Sequence, residues 1–167
     1  MNKELLDTAI SKLVIHDVYL GSSKIDVKSG FIPEFQKDPL LIQFRNSIQG
    51  SSIAEISGIE PYHLLLTYHY DMAFRALPEG LSEDILSNEE LLIDETLAEV
   101  TATFNASYYV KDNITAEEIK AFGFSNVGFN VWPYWREYAS SIRERLRLPY
   151  FIIPLKRVND IQKNHRE

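Results

Sequence analysis

The feature that most constrains this chain is a strict two-residue alternation between Tyr62 and Ala76. Its even positions are all apolar or aromatic, and its odd positions are mostly polar. A period of two over this length predicts a long β-strand with one buried face. Residues 98–110 repeat the pattern. The two runs together predict an antiparallel sheet that keeps one face toward water.

Two weaker strands precede this pair in the sequence. Residues 40–49 alternate through several apolar side chains, and residues 12–27 are rich in β-branched side chains. The alternation of the earlier run breaks near Gly21, which predicts a β-bulge there. Residues 28–39, between the two runs, contain glycine and two prolines and are predicted to form a loop. This loop carries three large apolar side chains that are unusual for a connection: Phe31, Ile32 and Phe35.

Two helices are predicted after the last strand. Thr115 and Glu118 have the spacing of a capping box, which predicts a short helix that ends near Gly123. A long helix is predicted to begin near Val131 and to end before Pro149, with Pro133 in its first turn. Its apolar stripe is spaced as on one helix face: Trp132, Trp135, Ala139, Ile142 and Leu146.

The stretch between the two strongest strands is long and acidic. Residues 79–99 include acidic side chains but no lysine or arginine. Ser87 and Glu90 have capping-box spacing, so a short helix is predicted within this excursion. The charge is expected to form a solvated surface or to steer a partner.

The composition excludes several classes of protein. The 167 residues carry a net charge of -7 and no cysteine. General binding to nucleic acid is therefore not expected, and neither disulfides nor thiolate chemistry is possible. No apolar run reaches the length of a membrane span, and the N-terminus does not resemble a secretory signal. We expect one domain over residues 1–167, located in the cytoplasm, without membrane insertion.

No catalytic, metal or cofactor site is predicted. His63 and His69 share a strand face, but six residues of extended chain separate them by about 20 Å, so they cannot hold one metal ion. The glycines do not cluster into a phosphate-binding loop. We therefore expect a non-enzyme with no catalytic residue, no metal and no cofactor.

The second half of the chain resembles the SecB family of protein-export chaperones. The resemblance rests on an aromatic-Pro-Tyr-x-Arg-Glu segment that opens the long helix, and on a proline that precedes a short apolar run closed by proline. The matching residues are Trp132, Pro133, Tyr134, Arg136, Glu137, Pro149, Ile152, Ile153 and Pro154. The "FQKD" of Phe35–Asp38 stands where the family has its apolar crossover loop, and the order of elements agrees over about residues 10 to 155.

The resemblance implies an α+β fold: a four-stranded antiparallel sheet with a crossover loop, followed by a short and a long C-terminal helix. It implies an ATP-independent holdase for protein export that binds unfolded polypeptides and assembles as a dimer of dimers. The client groove would lie between the crossover loop and the long helix, lined by Phe31, Ile32, Phe35, Trp132, Trp135 and Tyr138. Part of the surface that docks the SecA motor would be formed by Leu77 and Glu79.

Departures from the family pattern leave alternatives open. Lys24 and Lys28 stand where acidic docking residues are expected, and the tail "KRVNDIQKNHRE" is basic on balance. One alternative is a SecB-like chaperone dedicated to a single client, such as an antitoxin. Another is a hotdog-like thioester enzyme, for which Glu137 and His69 are the only plausible acid or base residues.

Overall fold

The computed structural model describes residues 3–156 and contains one four-stranded antiparallel sheet. The strands are β1 (Leu13–Val27), β2 (Leu40–Glu55), β3 (Leu64–Pro78) and β4 (Ala98–Val110). Their spatial order is β1-β4-β3-β2, so β1 and β2 form the two edges. The predicted α+β fold with four antiparallel strands is confirmed. The predicted basic tail lies almost entirely outside the described residues.

The strand registers locate three irregularities on the edge strands, the first between Ile15 and Asp17 of β1. The pairing of β1 with β4 shifts between Leu20 and Ser22, which confirms the bulge predicted at Gly21. The pairing of β2 with β3 shifts between Ile48 and Gly50. β2 continues beyond the predicted end at Gln49, because pairing with β3 supports a polar stretch that has no apolar alternation of its own.

The two faces of the sheet carry different kinds of side chains. The inner face carries the even-numbered side chains of β3 and β4, and these are almost all buried, as their alternation predicts. Tyr68, Phe74 and Tyr108 are among the largest side chains that are completely buried. The helices cover this face, so the main core lies between the helices and the sheet.

The outer face carries a ladder of polar pairs across β3 and β4. Thr67 and Ser107 are hydrogen-bonded at 2.9 Å, and Thr103 donates to Asp71 at 2.7 Å. His69 Nδ1 and Asn105 Oδ1 lie 2.7 Å apart. Each pair is directly opposite in the strand register, so the side chains satisfy one another on a face without an apolar layer.

Helix α1 (Lys3–Lys12) was not predicted. It packs against α4 (Ala116–Phe122), and Lys12 Nζ lies 2.8 Å from a carboxylate oxygen of Glu118. The same carboxylate accepts the Thr115 N–H and completes the predicted capping box. One glutamate therefore caps α4 and fixes α1 to it.

The start of the long helix was predicted wrongly. α5 runs from Gly128 to Arg145, and a π-helical turn over Gly123–Val127 joins it to α4 without a break. Pro133 consequently lies inside α5 and not in its first turn. The reason for the close connection is local: a Cβ at Gly123 would lie 2.9 Å from Tyr68 Cε1, so glycine lets the backbone approach the sheet.

The acidic excursion folds into two short helices, α2 (Glu83–Leu86) and α3 (Glu89–Glu95). The predicted cap at Ser87 is displaced by one residue, because Asn88 caps α3 by accepting the Glu90 and Leu91 N–H groups. Helix α3 is attached to the outer face near the end of β3, where Arg75 Nη2 contacts Glu89 Oε1 at 2.6 Å.

Candidate functional site

The crossover loop (residues 28–39) is held beside the C-terminal end of α5. Arg147, just beyond that end, donates to Glu34 at 2.9 Å. Phe31 is half-buried and packs against the core, whereas Ile32 and Phe35 are 53% and 71% exposed. The loop therefore uses one of its three apolar side chains as an anchor and presents the other two to solvent.

Arg147 occupies a position where glycine is usual. Its φ of 54° is left-handed, and its N–H bonds to Glu144 O while the Leu148 N–H bonds to Arg143 O. These two bonds form a Schellman motif, which ends the helix and turns the chain back. Arg147 adopts this less favourable backbone conformation, and at this position its side chain reaches Glu34.

After this turn, residues 149–156 run back along α5; we call them the return segment. Arg143 Nη1, in the last turn of α5, donates to Phe151 O at 3.1 Å. Trp132 Nε1, near the beginning of the helix, donates to Pro154 O at 3.0 Å. The two hydrogen bonds fix an extended chain antiparallel to the helix axis.

Side chains of the return segment alternate between core and solvent. Phe151 and Ile153 face inward, and the Phe151 ring lies 5.3 Å from that of Phe74 on the inner face. Tyr150 and Ile152 are 78% and 72% exposed. Tyr150 also covers the Arg143 guanidinium at 4.7 Å, at the same end of α5 as Glu34 and the crossover loop.

We call Ile32, Phe35, Tyr150 and Ile152 the apolar patch. Both segments that carry these residues are attached at the C-terminal end of α5, by Arg147 and Arg143 respectively. Soluble proteins seldom expose grouped large apolar side chains without a binding role. Sequence reasoning found Ile32 and Phe35 but missed the other two. The unbroken apolar run from Tyr150 to Ile153 is the signal that could have identified them, because an extended chain turns successive side chains to opposite sides.

The predicted helix residues lie elsewhere. Trp135 is completely buried against Phe74 with ring centroids 6.2 Å apart, and Trp132 is also buried. Tyr138 is half-buried and meets Phe104 of the inner face edge to face. The structure thus places these three aromatic residues in or against the core and does not join them to Ile32 and Phe35 in an open groove. The physical reason is that their stripe faces the sheet.

The predicted docking pair is also separated. Leu77 is completely buried at the end of β3, outside the main core cluster, whereas Glu79 is exposed in the following turn. Leu92 of α3 is likewise buried outside the main cluster and lies one helical turn after Glu89, which contacts Arg75. Because Arg75 and Leu77 share the outer face, α3 covers the Leu77 side of the sheet.

Arg75 holds this cover in place. It lies between Glu89 of α3 and Glu99 of β4, with N–O distances of 2.6 and 3.2 Å. The hydrogen bond from Arg75 lowers the pKa of Glu89 below its usual value. Lys28 Nζ adds a hydrogen bond to Asp94 O, which joins the crossover loop to the end of α3.

The acid and base candidates of a thioester enzyme lie on opposite sides of the sheet. His69 points to the outer face and is paired with Asn105, whereas Glu137 is exposed on α5, which covers the inner face. The sheet separates the two residues, so they do not form an acid-base pair. Residues 3–156 contain no group of three histidine or acidic side chains placed to hold a metal, and no described helix could span a bilayer.

The fold is that of SecB-like chaperones. The chain matches the structure of a SecB-like chaperone from Mycobacterium tuberculosis, solved in complex with a ChAD peptide from the HigA1 antitoxin. The match has a TM-score of 0.68 at 17% sequence identity and covers 93% of this chain and 98% of the other. No protein-family model and no curated protein sequence matches the chain.

Proposed function

We propose that the protein is an ATP-independent holdase that binds non-native polypeptides through the apolar patch. The observation that carries the proposal is the exposure of large apolar side chains on two segments held at one end of α5. Burial of apolar area is worth about 25 cal/mol per Å², so such a surface can hold an unfolded chain without nucleotide hydrolysis. The SecB-like fold supports the same conclusion.

The second candidate is a chaperone dedicated to one client. Its support is the outer face: α3 covers the Leu77 side of the sheet, and Lys24 and Lys28 replace the acids expected of a SecA-docking surface. The similar mycobacterial structure contains an antitoxin peptide, which is also compatible with a dedicated client here. Export through SecA therefore has less support than a holdase activity. It also has less support than a chaperone role for one client.

The holdase would assemble with further copies of itself through β1. This strand is a sheet edge, and although Leu13 and Val18 are buried in the core, most of the other inner-face residues are not covered by the same chain. Four are more than two-fifths exposed: Ile15, Leu20, Ile25 and Val27. An open edge and an uncovered apolar margin together favour pairing with a second copy, and a dimer of dimers would follow from a second interface.

The test of the holdase proposal is suppression of aggregation of a chemically unfolded client. The double variant Ile32→Ser and Phe35→Ser should lose most of this activity and keep its melting temperature, because both side chains are exposed. Ile59→Ser is the matched control, since Ile59 is exposed in a different loop. Equal suppression by the double variant and wild type would show that the client binds elsewhere.

Capture experiments from the source cell distinguish the two candidates. A general holdase should retain many unrelated polypeptides, whereas a dedicated chaperone should retain one dominant partner. The double variant serves as the background in both cases, because captured proteins that do not need Ile32 and Phe35 are not held by the apolar patch.

A further inference from the structure

We propose that three aromatic rings at the start of α5 form a receptor for a lysine ammonium group, which the chain's own Lys156 fills and which a lysine of a bound polypeptide can occupy instead. The inference rests on the proposed polypeptide-binding function and adds a chemical preference to it. We call Tyr70, Phe129 and Trp132 the aromatic cage.

The aromatic cage surrounds one cation. Lys156 Nζ lies 5.4 Å from the ring centroid of Tyr70, 5.5 Å from that of Trp132 and 5.9 Å from that of Phe129. Each distance is within the roughly 6 Å range of a cation–π contact. Three rings that converge on one ammonium group, from a strand and a helix, make a site selective for positive charge.

The aromatic cage also contains a hydrogen-bond acceptor. Lys156 Nζ donates to Tyr70 Oη at 3.1 Å, and the Tyr70 hydroxyl donates its own proton to Asn46 Oδ1 at 2.7 Å. Burial raises the pKa of Tyr70 to about 12, so this hydroxyl stays protonated at neutral pH. Because its proton is used by Asn46, its oxygen accepts from the ligand. The site therefore suits a primary ammonium better than a quaternary one.

Gly128 leaves the space that the ammonium group fills. A Cβ at this position would overlap Lys156 Nζ and would lie 2.5 Å from Tyr70 Oη. Glycine within a helical run costs about 1 kcal/mol relative to alanine. Room for a cation between α5 and the sheet gives a physical reason for glycine at this point.

Trp132 links the cation site to the backbone of an extended chain. The ring that contacts Lys156 also donates through Nε1 to the carbonyl of Pro154, two residues earlier. Every residue of an extended polypeptide offers a carbonyl, whereas only some positions offer an ammonium group. The two contacts together recognise any residue that is followed by a lysine two positions later.

The end of the return segment can be exchanged without loss of a strand or helix. Positions 149–156 belong to no helix or strand. Pro154 and Leu155 are exposed. At this end the Trp132 indole holds the Pro154 carbonyl and the aromatic cage holds the Lys156 ammonium group, and an incoming lysine would have to compete with both contacts.

The site is tested by chemical rescue of Lys156→Ala. n-Propylammonium, which reproduces the atoms deleted beyond Cβ, should bind this variant at least tenfold more tightly than n-propanol, about 1.4 kcal/mol. Tryptophan emission reports binding, because Trp132 lines the cage. Lys120→Ala, a change of an exposed lysine on α4, is the control and should show no saturable response, like wild type.

Equal binding of the amine and the alcohol by Lys156→Ala, or no binding of either, would overturn the inference. If the alanine variant does not fold, Lys156→Met keeps most of the side-chain stem, and methylammonium compared with methanol is the probe pair. Tyr70→Phe in the Lys156→Ala background keeps all three rings and loses only the hydroxyl oxygen that accepts from the ammonium group. It should reduce the preference for the amine over the alcohol several-fold.

A pair of extended client peptides then tests the link to function. The peptides differ only in one lysine replaced by norleucine, and Lys156→Ala should bind the lysine peptide at least tenfold more tightly. A trimethyllysine peptide should not match it, because it cannot donate to Tyr70. Equal affinity for lysine and norleucine peptides would refute the lysine preference and leave the holdase proposal intact. Failure of every peptide to bind, with no suppression of aggregation, would refute the holdase proposal. The comparison of propylammonium with propanol would still decide whether the cation site exists.

Discussion

The two faces of the sheet use the same strands in opposite ways. On the inner face, Phe74 and Tyr108 are buried in an aromatic layer, where Phe74 packs on Trp135 of α5 and Tyr108 on Phe122 of α4. On the outer face, side chains that alternate with them along the same strands pair one to one, as Asp71 does with Thr103. The inner face therefore supplies stability through area, and the outer face supplies register through hydrogen bonds.

The difference also separates the parts that can bind from those that cannot. The covered centre of the inner face is closed, and the outer face is either self-satisfied or covered by α3. Accessible apolar area remains at the margins: the apolar patch at one end of α5, and the inner-face residues of β1 such as Leu20. Function in this chain is thus expected at the borders of the core.

The largest effect is expected from the centre of the inner face. Trp135→Ala removes a completely buried indole that packs on Phe74 and should lower the free energy of unfolding by about 3–5 kcal/mol. Denaturant unfolding measures it, with His69→Ala on the outer face as the comparison, expected to cost about 1 kcal/mol. A loss below about 1 kcal/mol for Trp135→Ala would remove the contrast between the faces.

The margin of the inner face should control assembly and not folding. Leu20→Asp combined with Ile25→Asp should weaken self-association at least a hundredfold, about 2.7 kcal/mol, because both side chains are exposed beside the open edge. Tyr19→Asp is the matched control, since Tyr19 is exposed on the outer face of the same strand. Sedimentation of all three proteins would contradict the proposal if the control dissociated as readily as the double variant.

The outer face should respond locally to loss of Arg75. Arg75→Met removes the ion pair to Glu89 of α3 and the one to Glu99 of β4. It should cost about 1–2 kcal/mol, because a buried charged donor is lost but Glu89 remains largely exposed. Hydrogen exchange should accelerate in α3 and stay unchanged in α5. Uniform acceleration in both helices would mean that the cover is part of the global folding unit.

The smallest effect is expected in the pH dependence of stability, through Glu118, which joins α1 to α4. Two hydrogen bonds lower the pKa of Glu118 below its usual value: the larger effect comes from Lys12, and the next from the Thr115 N–H. A carboxyl whose pKa is lower in the folded state stabilises the fold above its unfolded pKa, near 4.3, and loses this contribution as pH falls through the folded pKa. Glu118→Gln should therefore be less stable than wild type at pH 7, with the difference shrinking below about pH 4. A pH-independent difference would show that packing, and not charge, accounts for it.

Local patterns predicted much of this architecture because they are decided by neighbours in sequence. The alternation in β3 and β4 gave both buried faces, and Thr115 with Glu118 gave the start of α4. Pro133 misled the prediction of α5, since proline favours a first turn, but the π-helical turn extends the helix before it. Helix α1 was missed because its main anchor, Glu118, is more than a hundred residues away.

The residues of the candidate site also divide into those that a local pattern predicts and those that it does not. Phe35 could be predicted as exposed because an apolar side chain in a proline-bounded loop has few places to be buried, and the structure agrees. Trp135 could not be assigned from its helical stripe, because a stripe facing the core and one facing a groove have the same spacing. Tyr150 and Ile152 join the apolar patch only because the Schellman turn at Arg147 sends the chain back along α5.

By itself, then, the sequence determined the strand faces, the cap of α4 and the apolar character of the crossover loop, because each depends on side chains a few residues apart. Tertiary structure alone decided that Glu89 of α3 meets Arg75, that Glu34 meets Arg147, and that Lys156 reaches the rings of the aromatic cage. These contacts join residues far apart in the chain. Their free energy depends on distances and burial that no local pattern contains.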